Sequence, residues 1–297
     1  MRRFLVGLVV VLAIVAGTLW YVAGRLDDTE ITPNVHMLSG VGGNVGVLTT
    51  PEGVVVVDTM MLVRQGNAVR DRIRDFTDEP VVTVLNTHYH VDHTHGNPAF
   101  PVGTKVVSTG RTLQHLHELD ADFWKDHPAI DLLPNDTFDG ASKEMTIGGK
   151  TIRLVHPGRG HTDGDMVVLF VEDRVLHAGD LFFHGHYPNI DLEAGGSVRE
   201  WPATLDKVLE LPFDKVIPGH GPATTRVALE RFRDFMATLW EETVRVRDKG
   251  GSLADAEQLV DLEPFGLKPI WFAPMLNRRF VIGRSWEEAT ASGGPRG

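Results

Sequence analysis

The sequence predicts an α/β fold in which helices are layered on β-sheet. Three observations predict it: short β-branched runs alternate with amphipathic stretches, some of these runs are apolar on both faces, and four of them end in a cluster of Gly, His or Asp. The 297 residues, 42% hydrophobic and 23% charged, can bury one large core, so one globular unit with an appendage is expected.

The appendage is residues 1–29. Arg2 and Arg3 precede a run without a charged residue from Phe4 to Ala23, about the length that crosses a bilayer as a helix. Trp20 and Tyr21 suit the far interface, and Asp27, Asp28 and Glu30 follow, so the N-terminus is expected inside and the rest of the chain outside. An N-terminal hydrophobic helix acting as an uncleaved anchor is the preferred reading, because the run is longer than a usual signal core. A cleaved signal peptide competes with it, although Tyr21 to Gly24 is a poor cleavage site. Either way the domain, residues 30–297, is expected on the periplasmic side of the inner membrane or free in the periplasm.

After a polar linker, residues 34–61 read as two or three strands joined by a glycine-rich loop, Gly40 to Gly43, and a Pro51-Glu52-Gly53 turn. Residues 67–76 place Val69, Ile73 and Phe76 on one helical face. The run "VVTVLNTH" suits a strand buried within a sheet. A helix is expected from Thr112 to about Phe123, then irregular chain through Phe138. Residues 144–158 form a hairpin turning at Gly148-Gly149; its "GGKT" is no phosphate-binding loop, since Glu144 stands where the first glycine is needed. Residues 165–180 give two strands, 197–211 a helix with Ser197 as candidate cap, and "DKVIPGHG" a further strand. A long amphipathic helix from Ala223 to about Lys249 carries Leu229, Phe232, Met236 and Leu239 as its inner stripe. Ser252 opens a shorter helix with Asp255 three residues on, a capping-box pattern, and the tail from Glu287 to Gly297 reads as frayed.

A formal net charge of −11 disfavours nucleic acid as a partner, and the absence of cysteine excludes disulfides, thiolate metal ligands and a thiol nucleophile. Any metal must therefore sit on histidine and carboxylate. Candidates stand at four strand ends: His88, His90, Asp92 and His93 in "NTHYHVDH", His161 in "GRGH", Asp180 in "HAGD" and His220 in "PGHG". Gly160, Gly179 and Gly219 each precede one of these residues, where the chain must turn sharply. At a strand end residues i and i+2 point to one side, so His88 and His90 can converge on one ion while Tyr89 points away, and the next turn brings Asp92 and His93 to a second position. Imidazole and carboxylate without sulfur suit zinc, and iron or manganese would also accept them. Such a site makes a nucleophile from water and needs no serine elbow, which the sequence lacks.

His-x-His-x-Asp-His, then Gly-His-Thr, Gly-Asp and Pro-Gly-His-Gly together resemble the metallo-β-lactamase superfamily, from about Asn34 to the helix after His220. The resemblance implies a four-layer αββα sandwich with a two-metal site at one edge. It implies that His88, His90 and His161 hold one Zn(2+), that Asp92, His93 and His220 hold a second, and that Asp180 bridges them. It further implies that Asp58 supports the site from behind the ligands. Where zinc β-lactamases of the family carry cysteine or serine, this chain has Asp180, which is more like glyoxalase II, lactonases and general hydrolases. The expected activity is a dinuclear zinc hydrolase: a metal-bridging hydroxide, oriented by Asp92 as catalytic residue, attacks the carbonyl of a small-molecule ester, thioester, lactone or β-lactam. Two other functions share parts of the pattern, a mononuclear iron dioxygenase acting on persulfides and a non-catalytic metal-binding accessory protein of the periplasm.

Outside the seven ligands, His184, His186 and Tyr187 are candidates for the substrate pocket, with an exposed loop as the alternative. His95 reads equally as a supporting donor or a helix-surface histidine, and His115, His117, His127 and His156 as structural. Arg159 reads as a solvated loop residue, Gly40 to Gly43 as either a flap or a plain turn, and Trp124 and Trp271 as core.

Overall fold

The computed structural model describes residues 24–125 and 127–291, so the expected N-terminal hydrophobic helix lies outside the described residues. Among the described residues no helix is long and apolar enough to cross a membrane.

Two sheets face one another. The first has seven strands in chain order: β1 (Asp27–Thr32), β2 (Val35–Ser39), β3 (Val45–Thr50), β4 (Gly53–Val57), β5 (Val81–Leu85), β6 (Lys105–Thr109) and β7 (Asp136–Phe138). It is antiparallel from β1 to β4 and parallel from β4 to β7. The second contains β8 (Ser142–Ile147), β9 (Lys150–Val155), β10 (Val167–Phe170), β11 (Val175–His177), β12 (Lys215–Ile217) and β13 (Thr224–Thr225), ordered β13-β12-β11-β10-β9-β8.

The run "VVVV" of β4 shows why four layers form. Side chains alternate across a strand, so Val55 and Val57 meet Leu154, Val168 and Phe170 of the second sheet, while Val54 and Val56 turn outward. There they pack on Val69 and Ile73 of α1 (Val63–Ile73). The outer face of the second sheet, with Leu169, Leu176 and Val216, is covered by three helices, α5 (Trp201–Leu209), α6 (Arg226–Asp248) and α8 (Arg278–Ala291). Shorter helices are α2 (Val91–Thr94), α3 (Gly110–Glu118), α4 (Ala121–Trp124) and α7 (Leu253–Leu259). Two sheets with helices outside both give the expected αββα order.

Several expectations need adjustment. The polar linker contains β1, an edge strand whose first four residues are exposed, so it lacks the apolar signal of a buried strand. The helix expected from Thr112 to Phe123 is two, α3 and α4, divided at Leu119 and Asp120. Ser197 accepts from the Glu200 amide at 3.1 Å and so caps the turn that leads into α5, not its first residue. The tail expected to fray from Glu287 is helical as far as Ala291, because Val281, Ile282 and Ala289 of α8 are buried in the second outer layer. The Gly148-Gly149 turn and the Ser252–Asp255 capping box are both present.

Candidate metal centre

The seven strand-end residues meet at one edge of the sandwich. His88, His90, His161 and Asp180 form one group and Asp92, His93 and His220 another, each with its ligand atoms within 4.8 Å of one another. Parallel β4 and β5 end side by side, with Val57 opposite Leu85, which brings Asp58 next to the chain that carries His88. α2 then carries Asp92 and His93 back across that edge, while β11 and β12, also parallel, deliver Asp180 and His220 from the second sheet.

Outer partners aim four of the five imidazoles. Asp58 accepts from the Thr87 amide (2.8 Å), the Thr87 hydroxyl (2.8 Å) and His93 Nδ1 (2.7 Å). With its proton given to Asp58, Thr87 Oγ1 accepts from His88 Nδ1 at 3.0 Å. His161 Nδ1 faces the Asn189 carbonyl at 3.0 Å, and His90 Nε2 faces Asp191 Oδ2 at 2.9 Å. Carboxylates and carbonyls can only accept, so all four rings donate their outer N–H, and in a neutral ring the inner nitrogen then keeps its lone pair. Asp58 adopts φ 62°, a conformation unfavourable for a residue with a Cβ and one found where function holds it.

The inner atoms then face each other without partners. His161 Nε2 and His90 Nδ1 are 2.8 Å apart, lone pair against lone pair. His88 Nε2, His93 Nε2 and Asp180 Oδ1 are buried with no hydrogen-bond partner. Asp180 Oδ2 lies 3.8 Å from His88 Nε2 and 3.6 Å from His161 Nε2, whereas its Oδ1 lies 3.2 Å from His93 Nε2 and 3.4 Å from His220 Nε2. One carboxylate therefore spans both groups. Asp92 Oδ2 reaches His220 Nε2 at 3.4 Å and His93 Nε2 at 3.9 Å. Buried polar atoms left unpaired are costly, and this set of imidazole nitrogens and carboxylate oxygens fits divalent cations in both groups.

The electrostatics agree. Burial and the neighbouring His93 push the pKa of His88 well down, and burial with His90 lowers that of His161 to about 4. Burial works against the charged form of His93, but Asp180, Asp58 and Asp92 outweigh it and carry that histidine well above its ordinary value. Asp180 is likewise opposed by burial, yet His220 and His93 hold its carboxyl well below the usual range. The site thus favours an ionised carboxylate at its centre, neutral imidazoles at His88 and His161 on one side of it and positive charge at His93 and His220 on the other.

Two of the three glycines act through space and not through turn conformation. Gly179 has φ 51°, a left-handed turn, but Gly160 and Gly219 do not; a Cβ on Gly219 would overlap Asp180 Oδ1. The Gly40–Gly43 loop is tied down as well. Gly43 lies against the His93 ring, and Asn44 Nδ2 donates to the carbonyls of Pro218 (2.9 Å) and Gly221 (2.8 Å), clamping the turn that carries His220.

Of the pocket candidates, His186 lines a cavity of about 450 Å³ together with His220, Asn44 and Trp271. His184 lies outside it, bonded to the Pro222 carbonyl at 2.8 Å. Tyr187 is not in the pocket: it is 6% exposed and packs in the helix-covered core near Phe235. His95 pairs with Asp120 at 2.8 Å and stacks on Phe123, away from the ligands. Arg159 is bonded to Gly195, Gly196 and Glu200. Trp124 is core as expected, but Trp271 is 72% exposed at the cavity mouth. Asp191 was not apparent in the sequence. It binds His90 and accepts from the Tyr89 hydroxyl at 2.5 Å, but 101 residues separate it from His90, and locally it reads as the start of an Asp-Leu-Glu-Ala turn.

Residues 38–220 match the metallo-beta-lactamase superfamily, well over half of the chain. The chain belongs to that superfamily. It is similar to a linear primary-alkylsulfatase of Pseudomonas sp. (strain ATCC 19151), at 26% identity over 265 residues, 73% of this chain and 50% of the relative. It is also similar to metallo-beta-lactamase IND-1 of Chryseobacterium indologenes, at 28% identity over 67% of this chain and 85% of that one. Among solved structures, a stereoselective inverting sec-alkylsulfatase from Pseudomonas sp. superposes with a TM-score of 0.70 at 18% identity, over 92% of this chain and 52% of that one. The chain thus spans about half the length of the alkylsulfatases it resembles, and these superfamily members are named for different substrates.

Proposed function

We propose that this superfamily member is a dinuclear zinc hydrolase of a small-molecule acyl compound, held at the periplasmic face of a membrane by residues 1–29. The observation that carries the dinuclear reading is Asp180, whose two oxygens point to different groups of ligands. His88, His90 and His161 would hold one ion and Asp92, His93 and His220 the other, with Asp180 between them. When bound, such ions acidify a shared water and polarise the bond under attack.

The chain's own residues supply the rest. Asp58, Asp191 and the Asn189 carbonyl fix three imidazoles by accepting from their outer N–H groups. Asp180 is buried and committed on both oxygens. Asp92, its side chain 17% exposed, directs Oδ2 at His220 and His93 and leaves its second oxygen to orient the attacking water and hold its proton. His186 and Asn44 border the space where substrate would lie.

The test is the full chain, zinc-loaded, against a β-lactam, a thioester, a lactone, a simple ester and, given the alkylsulfatase relative, an alkyl sulfate, with His90→Ala as control. Turnover of one carbonyl class at a kcat/KM above roughly 10⁴ M⁻¹s⁻¹, lost in the variant, supports the reading. Turnover of the alkyl sulfate alone would move the attack from carbon to sulfate. One iron per chain with oxygen uptake would replace it by the dioxygenase, and two bound metals without any turnover by the accessory protein.

A further inference from the structure

The metal edge is also the edge at which the chain enters the domain. Asp27 pairs with Ser39, Leu38 with Val45, Gly46 with Val57, and Val57 with Leu85. The start of β1 therefore lies in the same row as the strand ends that lead to Asp58 and His88. Arg25, Asp27 and Thr29, alternate residues and so on one side of the chain, line the cavity that His220 also lines. The uncharged run of residues 4–23 ends two residues before Arg25, and two residues of chain span at most about 7 Å.

Apolar side chains turned to solvent stand at and near the same mouth. Trp271 is 72% exposed; its ring lies 5.4 Å from that of Phe272, which lies 6.2 Å from the ring of His220, so an aromatic track leads from the lip to a ligand. On the other side Val91, between His90 and Asp92, is 41% exposed, as is Leu62 beside Met61, which with Asp92 flanks Gly42. Exposed tryptophan and aliphatic side chains next to an apolar run are what a lipid interface accommodates.

We infer that the cavity mouth rests on the bilayer and that the substrate is an amphiphile taken from it, an ester or thioester whose hydrocarbon chain lies along Trp271 and Phe272 while its carbonyl reaches the metal edge. This rests on the hydrolase reading above. Arg25 and Asp27 balance one another at the mouth, and the net charge of −11 favours a zwitterionic lipid surface over an anionic one.

The chain has no cysteine, so Trp271→Cys, and as control Val102→Cys, each carry one thiol for a nitroxide label. Val102 is 76% exposed and precedes β6, at the opposite edge of the sheet from the metal ligands. The full-length protein is reconstituted in phosphatidylcholine vesicles. Collisions of each label with membrane-dissolved oxygen and with a water-soluble nickel chelate are then compared. The expected result is a label at 271 that meets oxygen several-fold more than chelate, the reverse at 102, and a kcat/KM at least tenfold higher for a long-chain ester than for its short-chain, water-soluble homologue. A label at 271 as open to the chelate as that at 102 overturns the inference, even if short esters are hydrolysed. A lipid-buried label without preference for the long chain overturns the amphiphile. If the label is lipid-buried and the zinc-loaded chain cleaves neither ester but turns over a β-lactam or lactone, the amphiphile is overturned while the hydrolase reading stands; if it turns over none of these, the hydrolase reading has failed and the substrate falls with it, while the docking surface stands.

Discussion

Asp92 and Asp180 are both carboxylates at the metal edge, and their surroundings assign them different work. Asp180 is 3% exposed with its two oxygens facing different groups of histidines, which suits the bridge proposed for it; Asp92 is 17% exposed and turns only one oxygen to the histidines. Asp92→Asn is expected to lower kcat by two or more orders of magnitude in a protein that still folds, as circular dichroism and single-turnover kinetics would show. Near-normal turnover would remove Asp92 from the chemistry. Asp191 acts through His90, holding its Nε2–H so that Nδ1 faces His161 within the candidate ligand group, and the His90 and Tyr89 bonds keep its carboxyl below the usual range against the effect of burial. Asp191→Ala should weaken zinc binding roughly 10–100-fold, read by competition with a chromogenic chelator. Unchanged affinity would mean that the ring is held by packing alone.

At the scale of elements, the site depends on turns from two sheets being locked to each other. The loop before β3 does this: the Asn44 amide nitrogen donates to Gly219 O at 2.7 Å, and its side chain donates to Pro218 and Gly221. Asn44→Ala removes both side-chain bonds and leaves a buried carbonyl unpaired, at a cost of about 1–3 kcal/mol. Because those bonds hold the His220 turn, the ion of the Asp92 group should be lost before the other. Metal titration followed by mass spectrometry would reveal it, and equal weakening of both ions would contradict the clamp. Parallel pairing makes this convergence unavoidable, since β4 with β5 and β11 with β12 each end at one edge.

For the whole molecule, burial of titratable groups under the site sets a pH limit. His177 is fully buried beneath Gly46, and burial lowers its pKa to about 4 although Asp58 works in the other direction. An ordinary unfolded histidine titrates near 6.5, so between about 6.5 and 4 the unfolded chain binds the extra proton. Stability is thus expected to fall with pH across that window, by roughly 3 kcal/mol from this one group. Denaturant midpoints of the metal-free protein at pH 7 and pH 4.5 would measure it, and His177→Leu should flatten the slope. A slope unchanged in that variant would assign the acid sensitivity to other groups.

The sequence by itself picked out the seven residues that the structure brings together at one edge, because each sits in a short motif at or just after a strand end. It also determined the layering, since "VVVV" and "VVTVL" are apolar on both faces and can only lie between two packed surfaces. Only the tertiary structure decided that Asp191 holds His90, that Tyr187 is core, that Trp271 stands at the mouth and that the polar segment after residue 26 is a strand at the metal edge. The physical reason is range. Motif, period and turn chemistry act over a few residues, whereas a carboxylate's partner 101 positions away, or the face against which an aromatic ring packs, depends on how separate elements dock.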